Sequence, residues 1–176
     1  MIDLNDEIKR AKWTMADPEL PTAVIERTFS LKGCTEAEIA IAALGFLKLY
    51  VNGHRVGNAY IDTLHSIYHG IEFDKLEYPI HDKFTFRAYY SVFDLTDYLT
   101  DGENTLEIHL ANGFYRQTER IAEGDFRYGD CLGARYAMRV RDLDGERLIY
   151  SDCTELARDS AIRFPSFLSE RYMMQE

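Results

Sequence analysis

Alternation of apolar and polar residues predicts strands in the second half of the chain. In residues 105–110, Leu106, Ile108 and Leu110 share one face, and the residues between them point the other way. Residues 135–141 repeat this pattern and place Tyr136 inward. A half-buried strand requires such an arrangement, so we predict a strand at each position.

Turn signals divide the rest of the chain into further short elements. Asn52-Gly53 and Asp144-Gly145 each predict a hairpin, because both residue pairs tolerate positive φ. Residues 35–44 have some helical composition, but Ile39 and Ile41 favour a buried strand. We expect one short helical turn at 94–99. The remaining predicted strands are residues 9–15, 23–31, 38–44, 46–51, 84–92 and 146–150.

This series of short strands is typical of an all-β sandwich. Aromatic residues make up 13% of the 176 residues, with 12 Tyr and 10 Phe, which suits a pleated and half-buried surface. A chain of this length can bury a core without disulfides or metals. We therefore predict a single domain over residues 1–176.

Charge and cysteine content restrict the classes of partner. The formal net charge is −10, and such an acidic surface repels nucleic acid. No apolar run reaches the roughly 18–20 residues of a membrane-spanning helix. Residues 1–13 lack the apolar core of a signal peptide, which predicts a cytoplasmic protein if Met1 is the native start. The three cysteines are predicted to be reduced and mostly buried. They are Cys34, Cys131 and Cys153.

Three segments in order resemble the N-terminal domain of bacterial α-L-rhamnosidases of glycoside hydrolase family 78. They are residues 43–57, with the Asn-Gly hairpin; residues 93–104, with Phe-Asp-Leu-Thr-Asp-Tyr-Leu and Gly-Glu-Asn; and residues 112–116, Asn-Gly-Phe-Tyr-Arg. Weaker similarities extend the resemblance over nearly the whole chain. It implies a jelly-roll-like β-sandwich of the galactose-binding type, with short helical turns.

The same resemblance implies a module without catalytic residues. In this family, a separate helical barrel carries the carboxylates that cleave the glycosidic bond. No nucleophile elbow or phosphate-binding loop is present in the sequence. We therefore expect that this chain alone is not an enzyme, and that its partner is a downstream catalytic domain or a rhamnose-containing glycan. Open edge strands also leave a homodimer as an option.

The sequence departs from the family pattern after the first hairpin. The expected Pro-Gly-Trp is missing, and residues 61–83 look like an insertion rich in His, Tyr and Asp. Loops of this size are usually functional or mobile. It could cover a sugar-binding end of the sandwich or pack against a neighbouring domain. Phe114 also replaces the family's tryptophan, and Gln117 replaces its closing glycine.

Sugar recognition needs a flat aromatic face and planar polar groups. The candidate residues form a predicted rim at one end of the sandwich. They are Asn52, Asp62, Tyr68, Asn104, Asn112, Phe114 and Tyr115. The alternative is structural: the asparagines are turn residues that tolerate positive φ, and the two aromatic residues belong to the core.

Metal and cofactor chemistry has weaker support. No cofactor is required, but folds of the galactose-binding type often hold a structural calcium ion, which binds carboxylate and loop oxygens. The acidic loop residues are Asp94, Asp97, Asp101, Asp125 and Asp130. His65 and His69 have a ligand spacing only on a helix, and we interpret them as loop residues.

These observations give two main functional hypotheses. The first is a non-catalytic accessory module of an α-L-rhamnosidase-like enzyme, which helps to recognise rhamnose-containing glycans or braces the catalytic domain. The second is a purely structural or protein-interaction sandwich without sugar binding, which the missing tryptophan supports.

Overall fold

Two antiparallel β-sheets pack face to face through their alternating apolar residues. The computed structural model describes residues 3–59, 62, 66, 88–113, 115–116, 128–166 and 169–172. Its helical elements are α1 (Leu4–Glu7) and a 3-10 helix (Thr96–Tyr98). The strands are β1 (Thr14–Met15), β2 (Ala23–Leu31), β3 (Glu36–Leu44), β4 (Phe46–Val51), β5 (His54–Arg55), β6 (Ser91–Asp94), β7 (Gly102–Ala111), β8 (Gly133–Asp142), β9 (Gly145–Tyr150), β10 (Leu156–Asp159), β11 (Ile162–Ser166) and β12 (Ser169–Tyr172).

We call the two large sheets A and B. In sheet A, β3 lies between β6 and β8, and the other edge of β8 pairs with β9 and β1. Sheet B has the order β10-β2-β7-β4-β5. A separate hairpin joins β11 and β12. This arrangement confirms the predicted jelly-roll-like β-sandwich.

The core lies between the sheets. Ile39 and Ile41 of sheet A and Ile108 and Leu110 of sheet B are essentially inaccessible to solvent. Each comes from a strand in which every second residue is apolar, so the alternation directs one face of each sheet inward. Tyr136 is also fully buried, as its position in the alternating pattern predicted.

The predicted turns and strands are largely confirmed. Strands β2 and β4 begin and end at the predicted residues. Asn52 and Gly53 have φ of 52° and 75° and connect β4 to β5. Residues 36–44 form strand β3 rather than a helix, and the helical turn is present at Thr96–Tyr98.

The N-terminal prediction was wrong. Residues 9–15 were expected to form a strand, but only Thr14–Met15 does so, and helix α1 precedes it. The Asp3 side chain accepts a hydrogen bond from the backbone N–H of Asn5 at 2.9 Å and so caps the helix. Leu4 and Ile8 then pack on the outer face of sheet A. Burial of this segment against alanines of β3 and β8 outweighs its weak strand pattern.

Two other expectations need correction. The aromatic strand predicted at 84–92 begins only at Ser91 within the described residues, and residues 88–90 are not in a strand. None of the three free cysteines is fully buried: Cys34 and Cys131 are partly buried, and Cys153 is exposed. The backbone of Cys153 has φ of 72°, which places it in a tight turn after β9.

A polar cluster around Glu155 lies between the sheets. Its carboxylate accepts hydrogen bonds from the Thr14 hydroxyl at 2.6 Å and the Tyr136 hydroxyl at 3.1 Å. The backbone N–H groups of Asp152 and Cys153 donate to the same carboxylate. Burial, followed by the charge of Glu155, raises the pKa of Tyr136. These contacts satisfy the buried carboxylate and fix the turn that leads into β10.

Three hydrogen bonds among five residues tie Asp62 and Ser66 to β4 and to the chain around the start of β6. The Asp62 N–H donates to the Leu47 carbonyl at 3.3 Å, and the Ser91 hydroxyl donates to the Asp62 carbonyl at 2.7 Å. The Tyr89 N–H donates to the Ser66 hydroxyl oxygen at 3.1 Å. The predicted 61–83 insertion therefore begins at this side of the sandwich. Apart from Asp62 and Ser66, its residues lie outside the described part.

Candidate carbohydrate-binding site

The predicted sugar-binding residues do not share one rim. Asn104 lies near the start of β7, and Asn112 follows its last residue. Eight residues of extended chain separate them, or about 26 Å. Asn52 lies beside Asn104, whereas Tyr115 lies beside Asn112. The set is thus divided between opposite ends of the sandwich, because β7 runs through the full length of sheet B.

At the first end, Asn52 and Asn104 bind each other and the adjacent backbone. Asn52 Nδ2 donates to Asn104 Oδ1 at 2.8 Å and to the Tyr98 carbonyl at 3.0 Å. Asn52 Oδ1 accepts from the Thr105 N–H at 2.9 Å. Asn104 Nδ2 donates to the carbonyls of Thr100 and Gly102. Both amides are therefore engaged in joining the β4–β5 hairpin to the chain before β7.

At the second end, Asn112 orients a buried guanidinium. Its Oδ1 accepts from Arg116 Nε at 2.9 Å. The Arg116 terminal nitrogens donate to four backbone carbonyls, which belong to Pro18, Leu20, Pro21 and Asp130. The Asn-Gly-Phe-Tyr-Arg segment therefore fixes the loop before β2 and the loop before β8.

Tyr115 contributes to the core rather than to an open rim. It is partly buried and packs on the main core. Its hydroxyl lies so close to Gly129 that a Cβ there would overlap it. Tyr68 and Phe114 lie outside the described residues.

Asp62 lies beside the edge of β4, where its N–H donates to the Leu47 carbonyl. Its side chain is 1% exposed, and neither carboxylate oxygen has a hydrogen-bond partner. Burial raises the pKa of Asp62, and the Arg55 guanidinium at 3.7 Å opposes that rise. A carboxylate in this position is closed to a glycan in the described structure.

The described carboxylates do not converge on a calcium cage. Asp94 accepts from the Thr96 N–H at 2.9 Å, and Asp101 accepts from the Gly33 N–H at 3.1 Å. Both therefore act within loops. In the described ranges, no three His, Cys, Asp or Glu residues form a group that could hold a metal ion. Asp125, His65 and His69 fall outside those ranges, and structural calcium stays a prediction.

A different surface combines aromatic and polar groups. We call it the sheet-B outer face, and it comprises Glu26, Lys48, Tyr50, Glu107, His109, Leu156 and Arg158. The rings of Tyr50 and His109 lie with their centroids 4.6 Å apart at 43°. Arg158 binds two carboxylates: its Nε donates to Glu26 at 3.2 Å, and its Nη2 donates to Glu107. Four strands thus contribute to one patch.

His109 is a largely enclosed titratable group of this face, with a side chain that is 23% exposed. Burial lowers the pKa of His109, and the charge of Glu107 opposes that effect. Burial therefore favours the neutral imidazole. Its Nε2 lies 3.9 Å from a Glu107 carboxylate oxygen and makes no hydrogen bond.

The sequence pattern predicts an outward strand face for Glu107 and His109 but does not connect them with Tyr50 or Arg158. Strand alternation was the available signal, since it identifies the outward residues of β7. Register decides which of these residues meet. The pairings of Tyr50 with Glu107 and of Glu107 with Glu26 appear only when the strands are aligned in three dimensions.

Fold and surface together define a β-sandwich module of the jelly-roll type. Residues 32–173 match the family described as the alpha-L-rhamnosidase N-terminal domain. An alpha-L-rhamnosidase of Formosa agariphila is 32% identical over 129 residues, which cover 70% of this chain and 12% of that protein. The chain therefore belongs to the α-L-rhamnosidase N-terminal domain family, and it spans about an eighth of this relative's length.

Solved structures show the same fold. The α-L-rhamnosidase of Aspergillus terreus superimposes with a TM-score of 0.65 at 23% identity, over 89% of this chain and 17% of that one. A lectin of Pleurotus ostreatus in complex with GalNAc gives a TM-score of 0.54 at 18% identity, over 88% of this chain and 36% of the lectin. No helix in the described part of the chain is long and apolar enough to span a membrane.

Proposed function

We propose that this chain is a non-catalytic accessory module of an α-L-rhamnosidase-like glycoside hydrolase, and that it assists recognition of rhamnose-containing glycans. The observation that carries this proposal is family membership over residues 32–173, in a chain equivalent to 12% of its full-length relative. A catalytic domain elsewhere in such a protein would cleave the glycosidic bond. The module would hold the substrate near it.

Two features support a role in glycan recognition. The fold is shared with a lectin whose structure contains GalNAc. The sheet-B outer face offers an aromatic ring beside carboxylate and guanidinium groups. Pyranose rings present a C–H surface and hydroxyl groups, and these side chains are the types that bind such groups.

Bracing of the catalytic domain is the second candidate. The side chains of Asn52, Asn104 and Asn112 are engaged in internal hydrogen bonds, which favours a structural use of both strand ends. A module of this kind would contribute through contacts with another domain rather than with sugar.

Calorimetric titration of the chain distinguishes the two candidates. L-rhamnose and a rhamnose-containing oligosaccharide are titrated separately, with and without calcium. Saturable heat, even at millimolar affinity (about 4 kcal/mol), supports glycan recognition. A requirement for calcium would support the predicted ion. Flat heats in every condition contradict glycan recognition and favour bracing.

A further inference from the structure

We propose that the sheet-B outer face is a binding site for a neutral saccharide, with Tyr50 as its aromatic contact and Arg158, Glu26 and Glu107 as its polar contacts. This inference rests on the proposed function in glycan recognition. It places the site on the flat side of the sandwich, away from the strand ends and the loops where the sequence had suggested it.

Strand register supplies the first argument. Leu156, Glu26, Glu107 and Tyr50 are direct neighbours across β10, β2, β7 and β4. Directly paired residues point to the same side of a sheet, and adjacent strands lie about 4.8 Å apart, so this row is about 14 Å long. A row of that length accommodates a disaccharide that runs across the strands.

Accessibility along the face supplies the second argument. Val24 points to the same side as Glu26 and is fully buried. Its β10 neighbour Arg158 is 45% exposed, Leu156 is 62% exposed, and Glu26 and Glu107 are partly exposed. The accessible part of the face therefore consists of charged side chains on β2, β7 and β10, with the apolar Leu156 at the sheet edge.

The chemistry of the row suits a sugar. Arg158 holds the carboxylates of Glu26 and Glu107 in fixed positions, and each carboxylate keeps lone pairs for ligand hydroxyls. The His109 ring packs beside Tyr50 and restrains its orientation. A restrained aromatic ring next to oriented polar groups loses little conformational entropy when a ligand binds.

The charge of the face indicates a neutral ligand. Glu26 and Glu107 carry two negative charges, whereas Arg158 and Lys48 carry two positive charges. Arg55, the neighbour of Tyr50 on β5, lies 3.7 Å from the Asp62 carboxylate. The balanced sum gives no general attraction to an anionic glycan or to a polyphosphate. Hydroxyl recognition and stacking are then the main contributions to binding.

The test combines NMR titration with two variants and a matched control. The chain is titrated with L-rhamnose and with a neutral rhamnose-containing oligosaccharide while amide shifts are followed. Tyr50→Ala removes the aromatic ring. Arg158→Ala removes the guanidinium group from edge strand β10, where the Arg158 side chain is 45% exposed. Tyr90→Ala is the control, because Tyr90 is 37% exposed and precedes β6 of sheet A.

We expect shift changes at Tyr50, Glu107 and Arg158 in the wild-type chain. Tyr50→Ala should weaken binding about tenfold, as expected for the loss of one aromatic contact, and Arg158→Ala should weaken it as well. Tyr90→Ala should bind as the wild type does. A thermal unfolding transition shows that each variant is folded. If Tyr50→Ala does not fold, Arg158→Ala alone provides the test.

Other outcomes overturn the inference in distinguishable ways. Saturable binding that neither variant weakens would place the site elsewhere and leave the proposed glycan recognition intact. The absence of sugar binding by the wild type would contradict both. Concentration-dependent shifts at the same residues without sugar would identify a surface of self-association instead.

Discussion

The amide groups of Asn52 and Asn104 bind each other at 2.8 Å, although 52 positions separate these residues in the chain. This contact connects the β4–β5 hairpin with the turn that starts β7. Residues that resemble a sugar-binding rim in the sequence thus serve the assembly of sheet B.

Replacement of Asn104 by alanine should reduce stability. Asn104 is 1% exposed, and its loss removes the acceptor of the Thr100 N–H and one of the two acceptors of Asn52 Nδ2. We expect the free energy of unfolding to fall by about 2–3 kcal/mol. Chemical denaturation measures the change. Asn58→Ala, at an exposed position, should stay near the wild type, and equal stability of both variants would contradict this role.

Arg116 should not tolerate lysine. The guanidinium donates to four carbonyls and to Asn112, whereas an ammonium group has only three N–H donors and a different shape. We expect Arg116→Lys to lower the free energy of unfolding by about 2–4 kcal/mol. Arg10→Lys, at a side chain that is 72% exposed and pairs with Glu7, should change it by less than about 0.5 kcal/mol. Similar denaturation midpoints for the two variants would refute the claim.

Gly45 should be irreplaceable among the turn glycines. Its φ is +105°, and a Cβ would overlap the carbonyl oxygen of Ala111. We expect Gly45→Ala to lower the free energy of unfolding by about 3 kcal/mol or more. Gly53 has φ of +75° and open space around it, so Gly53→Ala should lose only about 1–2 kcal/mol. Thermal unfolding of both variants measures the difference.

The buried Asp62 carboxyl should make the stability of the chain fall as the pH rises. Burial raises its pKa above 3.8 in the folded chain, so ionisation disfavours the folded state. The contribution of Asp62 to stability is fully present at a pH below its pKa in the unfolded chain. It is lost as the pH rises through its pKa in the folded chain. Asp62→Asn should therefore be more stable than the wild type at pH 7, and the advantage should shrink as pH falls to 3.8.

Asp152 provides the control of opposite sign. Hydrogen bonds from Thr154, together with Arg27, lower the pKa of Asp152 to about 2. The contribution of Asp152 to stability is present above pH 3.8 and is lost as the pH falls towards 2. Asp152→Asn should be less stable than the wild type at pH 7, and the deficit should disappear in acid. Parallel stability profiles for the Asp62 and Asp152 variants would exclude this interpretation.

The local sequence pattern was sufficient to predict much of the fold. Alternation and turn chemistry located β2, β4 and the Asn52-Gly53 hairpin, because these signals lie within a few consecutive residues. Helix α1 was missed because it is short and is stabilised by burial on sheet A. The meeting of Tyr50 with His109 and Glu107 could not be predicted either, since it depends on strand register.

The pairing of Ser66 with Tyr89 has a practical consequence for protein engineering. The two residues are bonded although 23 positions separate them, so the two ends of any segment that joins them lie side by side. A change in the length of a segment with such adjacent ends costs little loop-closure entropy. Ser66 and Tyr89 are therefore suitable end points for joining a peptide or a reporter tag to this side of the domain.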